Sequence, residues 1–261
     1  PLVHIYPDPE EIGRVYAPTL GIVSNSAAFA AAISRLPPKH QPRGDELKTA
    51  HADYLAFAEP TTSPGNVQLA RIVRDLSERL PEDAIICNGA GNYAVWVHRF
   101  WRYRQFRTEL APTSGSMGYG LPASVAAKLL HPNRLVVAFA GDGCFQMTGM
   151  EFMTAVENRL PIIVIVANNG MYGTIRMHQE RHYPGRVSGT NLANPDFAAL
   201  ARACGGFGVR IDRTEDFAAA FDEAVASRLP SIIELTISPE ALTPMASLSE
   251  TRAKALAAAK G

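Results

Sequence analysis

The sequence predicts an α/β protein with a doubly wound, mostly parallel sheet and helices on both faces. Three observations predict it. From residue 47 to about 240, short apolar runs of strand length alternate with longer segments of helical periodicity. Leu135 to Ala140 and Ile162 to Ala167 are near-continuous apolar runs, as expected of strands buried on both faces. Each run stops at a cluster of small or amide residues, Gly141-Asp142-Gly143 after the first and Asn168-Asn169-Gly170 after the second. Polar residues therefore sit at strand C-termini, where open parallel sheets collect ligands.

Composition narrows the function classes. At 261 residues, 47% hydrophobic and 19% charged, the chain has material for one large core, or one and a fraction. Basic and acidic residues balance at 25 each, which leaves no electrostatic footprint for nucleic acid or an anionic membrane. No apolar run approaches the ~20 residues that span a bilayer. The opening PLVHIYPDPEEIG lacks the basic and apolar regions of a signal peptide, so a cytoplasmic location is expected. The three cysteines, Cys87, Cys144 and Cys204, are odd in number and share no metal-ligand spacing, which argues against a disulfide framework or a zinc site. Cys144 lies inside the GDG loop, either as a small residue tolerated beside a phosphate or as a reactive thiol.

Residues 1–36 open with a strand-like run, Leu2 to Tyr6, then a proline-rich turn, a short strand at Gly21 to Val23 and a helix from Ser26 to Arg35. This is too little to bury a core. The segment is expected to be the end of a preceding domain, and the chain a piece or cleavage product of a longer polypeptide. Residues 37–46 are polar and proline-rich and read as a linker. Leu47 to Ala58 reads as a helix, and Val67 to Leu80 as an amphipathic one with Val67, Ala70, Ile72, Val73, Leu76 and Leu80 apolar. A strand, Ala84 to Cys87, then ends in Asn88-Gly89-Ala90-Gly91-Asn92, a third glycine-bearing turn, weak alone because any tight strand-to-helix turn needs glycine.

Tyr93 to Arg104 is aromatic and basic and reads as a helix with an apolar face and a solvated basic face, in preference to a ligand or subunit contact. Single-strand nucleic-acid stacking finds little support in a neutral chain. Pro112 to Pro122 places three glycines before the small-residue helix Ala123 to Leu130. So open a loop can turn backbone groups toward a flat ligand, with Met117 as a soft apolar prop. Between the two central strands, Thr148 to Arg159 reads as a helix with Thr148 as N-cap and Pro161 closing it. Tyr172 to Glu180 continues as a helix, and residues 182–195 as a polar, mobile loop. Asp196 to Ala203 (helix), Phe207 to Ile211 (strand), Thr214 to Arg228 (helix) and Ser231 to Ile237 (strand) complete the alternation. Residues 241–261 read as a helical tail that covers the sheet edge or a neighbouring subunit.

If the two central strands are neighbours, Asp142 and Asn169 lie side by side and offer hard oxygen donors. Mg2+ prefers such donors and completes its shell with water and phosphate oxygens. The flanking glycines let backbone N–H groups approach an anion, and a helix N-terminus behind each loop adds partial positive charge. The residues thus read as a Mg2+-diphosphate site. Ordinary turn and capping roles are the alternative, which the pairing of two strand-end clusters one helix apart makes the weaker one.

GDG followed by NN about 25 residues on, with GSMGYGLP upstream and NGAGNYAVW and NNGMYG beside them, resembles the diphosphate-binding domain of thiamine-diphosphate enzymes of the acetolactate synthase, pyruvate oxidase and benzoylformate decarboxylase group. The resemblance implies that residues 47–240 are that domain, in the thiamine diphosphate-binding fold, and that residues 1–36 end the central domain before it. It implies Asp142, Asn169 and the carbonyl of Met171 as Mg2+ ligands. Gly141, Gly143, Cys144 and the backbone through Tyr172 would surround the diphosphate, together with Gly91, Asn92 and Tyr93. Met117 matches the apolar residue that holds the cofactor bent, in a loop with Ser116, and the carbonyl of Gly115 matches the acceptor for the aminopyrimidine 4'-amino group. The bend brings that amine beside the thiazolium C2 proton, whose removal makes the carbon a nucleophile toward 2-keto acids.

The resemblance also implies what lies elsewhere. The acid-base glutamate of these enzymes belongs to a pyrimidine-binding domain acting across a dimer interface, so no catalytic residue is assigned in this chain. A homodimer or homotetramer in the full enzyme follows. The implied activity is that of a 2-keto acid decarboxylase or carboligase, acetolactate synthase-like. Alternatives are a simple decarboxylase of the benzoylformate type, or a non-catalytic module for thiamine diphosphate or a nucleotide. Against a nucleotide, there is no GxGxxG after a first strand and no Walker lysine. The family's tryptophan after NN is absent, with Arg176, Met177 and His178 in that region, and His178 and Glu180 are either substrate contacts or solvated helix residues. Tyr6 replaces the first acidic residue of the central-domain stretch, which puts FAD binding in doubt.

Overall fold

The computed structural model describes residues 1–37 and 43–259. Half of the expected linker, residues 38–42 of 37–46, lies outside the described residues, and its last part is already helical. The chain divides into two compact units, Pro1–Tyr54 and Leu55–Gly261, so the division falls beyond that linker.

In the first unit, β1 (Val3–Tyr6) and β2 (Leu20–Val23) pair in parallel. A helix, α1 (Ser26–Ile33), follows, capped by the Asn25 side chain, which accepts from the N–H of Ala28 at 2.8 Å. None of these elements buries a residue fully, in line with a segment too short for its own core. Helix α2 (Gly44–Phe57) begins three residues before the expected start, with an Arg43–Glu46 ion pair of 2.8 Å at its first turn.

The second unit is built on six parallel strands. In chain order they are β3 (Ile85–Asn88), β4 (Glu109–Leu110), β5 (Val136–Gly141), β6 (Ile163–Asn168), β7 (Phe207–Ile211) and β8 (Ser231–Thr236). Their spatial order is β4-β3-β5-β6-β8-β7, every neighbouring pair parallel. Alternate residues of the central strands feed two separate cores. Ile86, Val137, Phe139, Ile163, Ile165, Ile233 and Leu235 face one side, and Ile85, Val136, Ala138, Ile162, Val164, Val166 and Ile232 the other. The first face is covered by α3 (Leu69–Arg79), α4 (Tyr93–Phe100) and, after the helices that follow in sequence, by Phe217, Phe221 and Ala224 of a helix at Phe217–Ser227. The second lies under α5 (Gly120–Leu130), α6 (Asp142–Thr148), α7 (Glu151–Glu157) and residues Phe197 and Ala201. Helices on both faces make the sheet doubly wound, and its apolar two-sided strands are the physical cause.

Register aligns the strand ends. Gly141 pairs with Ala167, Asn168 with Thr236 and Asn88 with Phe139, so three polar turns leave the sheet at one edge. β3 and β5 are neighbours, yet β4 lies on the far side of β3, which makes their junction the topological switch point.

Three expectations are corrected. Where one helix was expected from Thr148 to Arg159, α7 occupies Glu151–Glu157 of that span, and a further helix, α6, begins at Asp142 directly after the strand and ends at Thr148. Thr148 is no N-cap; its hydroxyl donates to the carbonyl of Gly118 at 2.7 Å. The aromatic-basic helix stops at Phe100, because the N–H of Arg102 donates to Ser77 Oγ at 2.9 Å and Arg104 Nη2 donates to the carbonyls of Ser77 and Leu80 at 3.0 and 3.1 Å. That strap leads into the two-residue strand β4, which is too short for an apolar pattern to reveal. Within α4, Trp96, Val97 and Phe100 are buried, while His98 is exposed and Arg99 half-buried.

Candidate functional site

At the switch point lies a cavity of about 240 Å³. Each turn that leaves a strand C-terminus there contributes to it. Ala90 to Tyr93 come from the turn after β3, Gly115 and Met117 from the loop after β4, and Gly141 to Cys144 from the β5 end and the first turn of α6. The turn after β6 brings Asn169, Met171 and Tyr172, continuing into α8 (Gly173–His182) with Thr174 and Ile175. Ile237, Ala241 and Leu242 follow β8. Of the site residues expected from the sequence, all line this cavity except Ser116, which is exposed and whose hydroxyl accepts from Ser114 Oγ at 3.3 Å. Ser116 faces away because the positive φ of Gly115 and of Gly118 turns the loop on either side of it.

Asp142 is 2% exposed and, among the described residues, is the only carboxylate on the cavity wall. Its Oδ1 accepts from the N–H of Gly143 at 2.9 Å, and its Oδ2 from the N–H of Gly170 at 2.8 Å. The second bond joins the ends of β5 and β6, as their pairing allows. Burial pushes the carboxyl above its ordinary pKa, and the donors Asn194, Gly143, Gly170 and Met171 oppose that rise. The two asparagines separate in role. Asn169 lines the cavity and accepts from the N–H of Met171 at 3.2 Å, while Asn168 turns its amide to Glu234 Oε1 at 2.8 Å.

Close packing explains the glycine between Asp142 and Cys144. A Cβ on Gly143 would sit 2.5 Å from Tyr172 Cε1, so only glycine lets the α6 backbone and the Tyr172 ring share this space. Cys144, 4% exposed, accepts at Sγ from the N–H of Gly118 at 3.2 Å and lies 3.3 Å from the Tyr93 hydroxyl. The Tyr93 hydroxyl itself accepts from the N–H of Gly89 at 2.9 Å, and burial holds its pKa well above the ordinary value. The thiol is thus a packed joint between three turns.

Asn92 ties the wall together. Its Oδ1 accepts from Thr174 Oγ1 at 2.9 Å and its Nδ2 donates to the carbonyl of Leu242 at 3.1 Å. Met171 and Met177 pack with Leu242 and Leu248 in a small apolar cluster, Leu248 opening the C-terminal helix α11 (Leu248–Ala258) once α9 (Phe197–Ala203) and α10 (Phe217–Ser227) are counted. The tail therefore folds against the turn that carries Met171. Glu180, for which a solvated role was one option, is 1% exposed and bound by Arg252 of α11 at 2.8 and 2.6 Å; His178 is exposed.

The loop at residues 182–195 is pinned to the same turn. The N–H of Tyr172 donates to the carbonyl of Thr190 at 2.9 Å, and the N–H of Leu192 to that of Gly170 at 2.8 Å. Sequence reasoning missed Asn194 in this loop, Leu69, and the apolar wall after β8. Leu69 and Leu242 carry ordinary apolar signals, and an asparagine in a polar loop carries none. Trp96, 3% exposed and on the cavity wall, has an indole N–H without an acceptor among the described residues.

The donor set fits a hard cation on a diphosphate: a buried carboxylate, an amide oxygen beside it and glycine turns with first-turn N–H groups. Among the described residues no cluster of three His, Cys, Asp or Glu side chains offers a different metal centre, and no helix is long and apolar enough to cross a membrane.

Residues 89–235 match the family model described as thiamine pyrophosphate enzyme, C-terminal TPP binding domain. An acetolactate synthase large subunit of Corynebacterium glutamicum is 30% identical over 261 residues, covering 94% of this chain and 42% of that protein. An acetolactate synthase of Mycobacterium bovis is 32% identical over 258 residues, covering 92% and 41%. The solved thiamine diphosphate-dependent 4-hydroxybenzoylformate decarboxylase of Rhodococcus jostii superposes with a TM-score of 0.73 at 26% identity, covering 91% of this chain and 44% of that one. The chain spans less than half the length of these relatives. It belongs to the thiamine pyrophosphate enzymes and carries the C-terminal thiamine pyrophosphate-binding domain of their acetolactate synthase-like members.

Proposed function

We propose that this chain anchors thiamine diphosphate through Mg2+ held by the side chains of Asp142 and Asn169 and the carbonyl of Met171. The full protein then acts on a 2-keto acid as an acetolactate synthase-like decarboxylase and carboligase. The observation that carries the reading is the 2.8 Å bond from Gly170 N–H to Asp142 Oδ2, which brings the Asp142 and Asn169-Met171 turns together at the ends of adjacent strands. Gly143, Cys144 and Tyr172 would present backbone to the diphosphate, and Gly91, Asn92 and Tyr93 would close its other side.

When bound, the cofactor supplies a nucleophilic carbon and an electron sink for decarboxylation. The chain's own residues bind and orient. Met117 and the apolar wall of Leu69, Trp96, Ile237 and Leu242 exclude water from the ring end of the cavity. The carbonyl of Gly115 would hold the 4'-amino group. With Asp142 committed to the metal, no second carboxylate and no histidine among the described residues lines the cavity to move a proton at the pyrimidine. A glutamate from a pyrimidine-binding domain, across a dimer or tetramer interface, would complete the site. At about 240 Å³ the cavity is smaller than the roughly 300–1,000 Å³ of whole ligand pockets, which supports half a site in this chain.

A second reading, decarboxylation without ligation, is favoured by the similarity to the Rhodococcus decarboxylase. Calorimetry on the full-length protein tests the anchor: thiamine diphosphate with Mg2+ binds, NAD and ATP do not, and Asp142→Ala, which removes a ligand itself, weakens binding by at least the about 10–100-fold typical of losing a ligand's supporting partner. Unchanged affinity in that variant sinks the reading. Incubation with pyruvate and with benzoylformate, scoring CO2 and ligated product separately, decides between the two reactions.

A further inference from the structure

Asp142 is oriented from behind by a side chain that no ligand pattern marks. Asn194, in the loop before α9, donates from Nδ2 to Asp142 Oδ2 at 2.7 Å and to Asn168 Oδ1 at 2.8 Å. Both amide protons are thereby used. Its own Oδ1 accepts from Gln146 Nε2 at 2.7 Å, so the amide is held at three points and cannot flip without losing all of them.

The hold extends to the sheet. Asn168 donates from Nδ2 to Glu234 Oε1 at 2.8 Å, and Glu234 is 1% exposed on β8. The other oxygen of Glu234 accepts from the N–H groups of Phe197 and Ala198 at 3.1 and 3.3 Å, in the first turn of α9 that follows Asn194. Arg210 Nη2 approaches the same carboxylate at 3.2 Å. One buried carboxylate thus orients Asn168 and anchors the segment that carries Asn194.

The consequence falls on Asp142. Oδ2 takes two donors, Asn194 Nδ2 and Gly170 N–H, which fill its two lone-pair directions, whereas Oδ1 takes one direct bond among the described residues, from the N–H of Gly143, the nearby Met171 N–H being bonded to Asn169 Oδ1 at 3.2 Å. We propose that Asn194, set by Glu234 through Asn168, is a positioning residue that fixes the Asp142 carboxylate so that Oδ1 alone is presented to the divalent cation. The inference rests on the metal reading above and assigns a role to a residue outside the ligand set. Partners of this kind typically change metal affinity by about 10–100-fold.

The test uses the full-length protein with saturating thiamine diphosphate and Mn2+ as the probe, free Mn2+ being counted by its paramagnetic resonance signal. Asn194→Ala is expected to raise the Mn2+ Kd about tenfold, with the melting temperature without metal unchanged, a split that a purely structural role would not produce. Gln146→Ala removes an exposed partner of Asn194 and is expected to raise the Kd in the same direction by a smaller factor, which keeps the test open should Asn194→Ala not fold. A wild-type Kd in Asn194→Ala, or in Gln146→Ala if only that variant folds, overturns the proposal. So does a tenfold loss accompanied by an equal loss of metal-free stability. Asp142→Ala is the separate control: if it keeps Mn2+, the metal reading itself fails, whereas its loss with an unaffected Asn194→Ala overturns the positioning role alone.

Discussion

Replacing Glu180 by glutamine removes the charge that holds the C-terminal helix against α8. The carboxylate is 1% exposed and accepts four hydrogen bonds: Arg252 Nε at 2.8 Å, Arg252 Nη2 at 2.6 Å, Arg176 Nε at 3.1 Å and the N–H of Gly185 at 2.8 Å. Breaking a buried pair by removing one partner costs about 3–5 kcal/mol. Arg252 is 37% exposed and recovers hydration, while Arg176 at 11% does not, so about 2 kcal/mol is expected. For a domain of this size that is a fall of about 4–8 °C in melting temperature.

The pH dependence has a definite sign. The Arg252 and Arg176 guanidiniums and the Gly185 N–H hold the Glu180 carboxyl down to about 2, against an ordinary value of 4.5. A depressed carboxylate contributes stability that is full above the unfolded value and is lost as pH falls toward the folded one. Linkage through this group gives a loss of about 0.8 kcal/mol by pH 4 in the wild type that the glutamine variant, having no carboxyl at this position, does not share. Urea unfolding at pH 7 and pH 4 measures both quantities. Equal midpoints at pH 7, or a gap between the two proteins that fails to narrow at pH 4, refutes the account of this clasp.

Two further outcomes follow from close packing. Gly143→Ala sets a methyl 2.5 Å from Tyr172 Cε1 and 2.8 Å from Cδ1, so the ring shifts into the cavity. Thiamine diphosphate affinity by calorimetry is expected to drop about tenfold, or about 1.4 kcal/mol; unchanged affinity means the ring has room elsewhere. Gly118→Ala meets Met147 Cβ at 2.9 Å at a backbone φ of +83°, with no flexible side-chain end to yield. Its unfolding free energy is expected to fall by about 1–3 kcal/mol in thermal or urea melts, and a wild-type melt rules out that strain.

Much of the fold was legible because its signals are local. Ile162 to Ala167 is apolar over a strand's length and stops at amides, and the observed β6 is shifted by a single residue. The additional helix α6 carries no such signal: Asp142-Gly143-Cys144 reads as a loop by composition, yet it is helical, with Cys144 and Phe145 buried. Ser116 was expected beside Met117 by adjacency in sequence, yet the turn of the backbone separates them. The polar segment 182–195 read as a mobile loop, because its bonds to Gly170 and Tyr172 are invisible to composition.

By itself the sequence determined where strands end and which chemistry gathers there, since apolar periodicity and the residues that interrupt it are properties of neighbours along the chain. It thereby placed Asp142 and Asn169 at the ends of two buried strands. Only the tertiary structure decided which groups hold them. Asn194 reaches Asp142 across 52 residues and Arg252 reaches Glu180 across 72. Such pairings depend on the stacking of β5, β6 and β8 and on how each helix returns to the sheet, because a hydrogen bond forms over about 3 Å of space regardless of the length of chain between its ends.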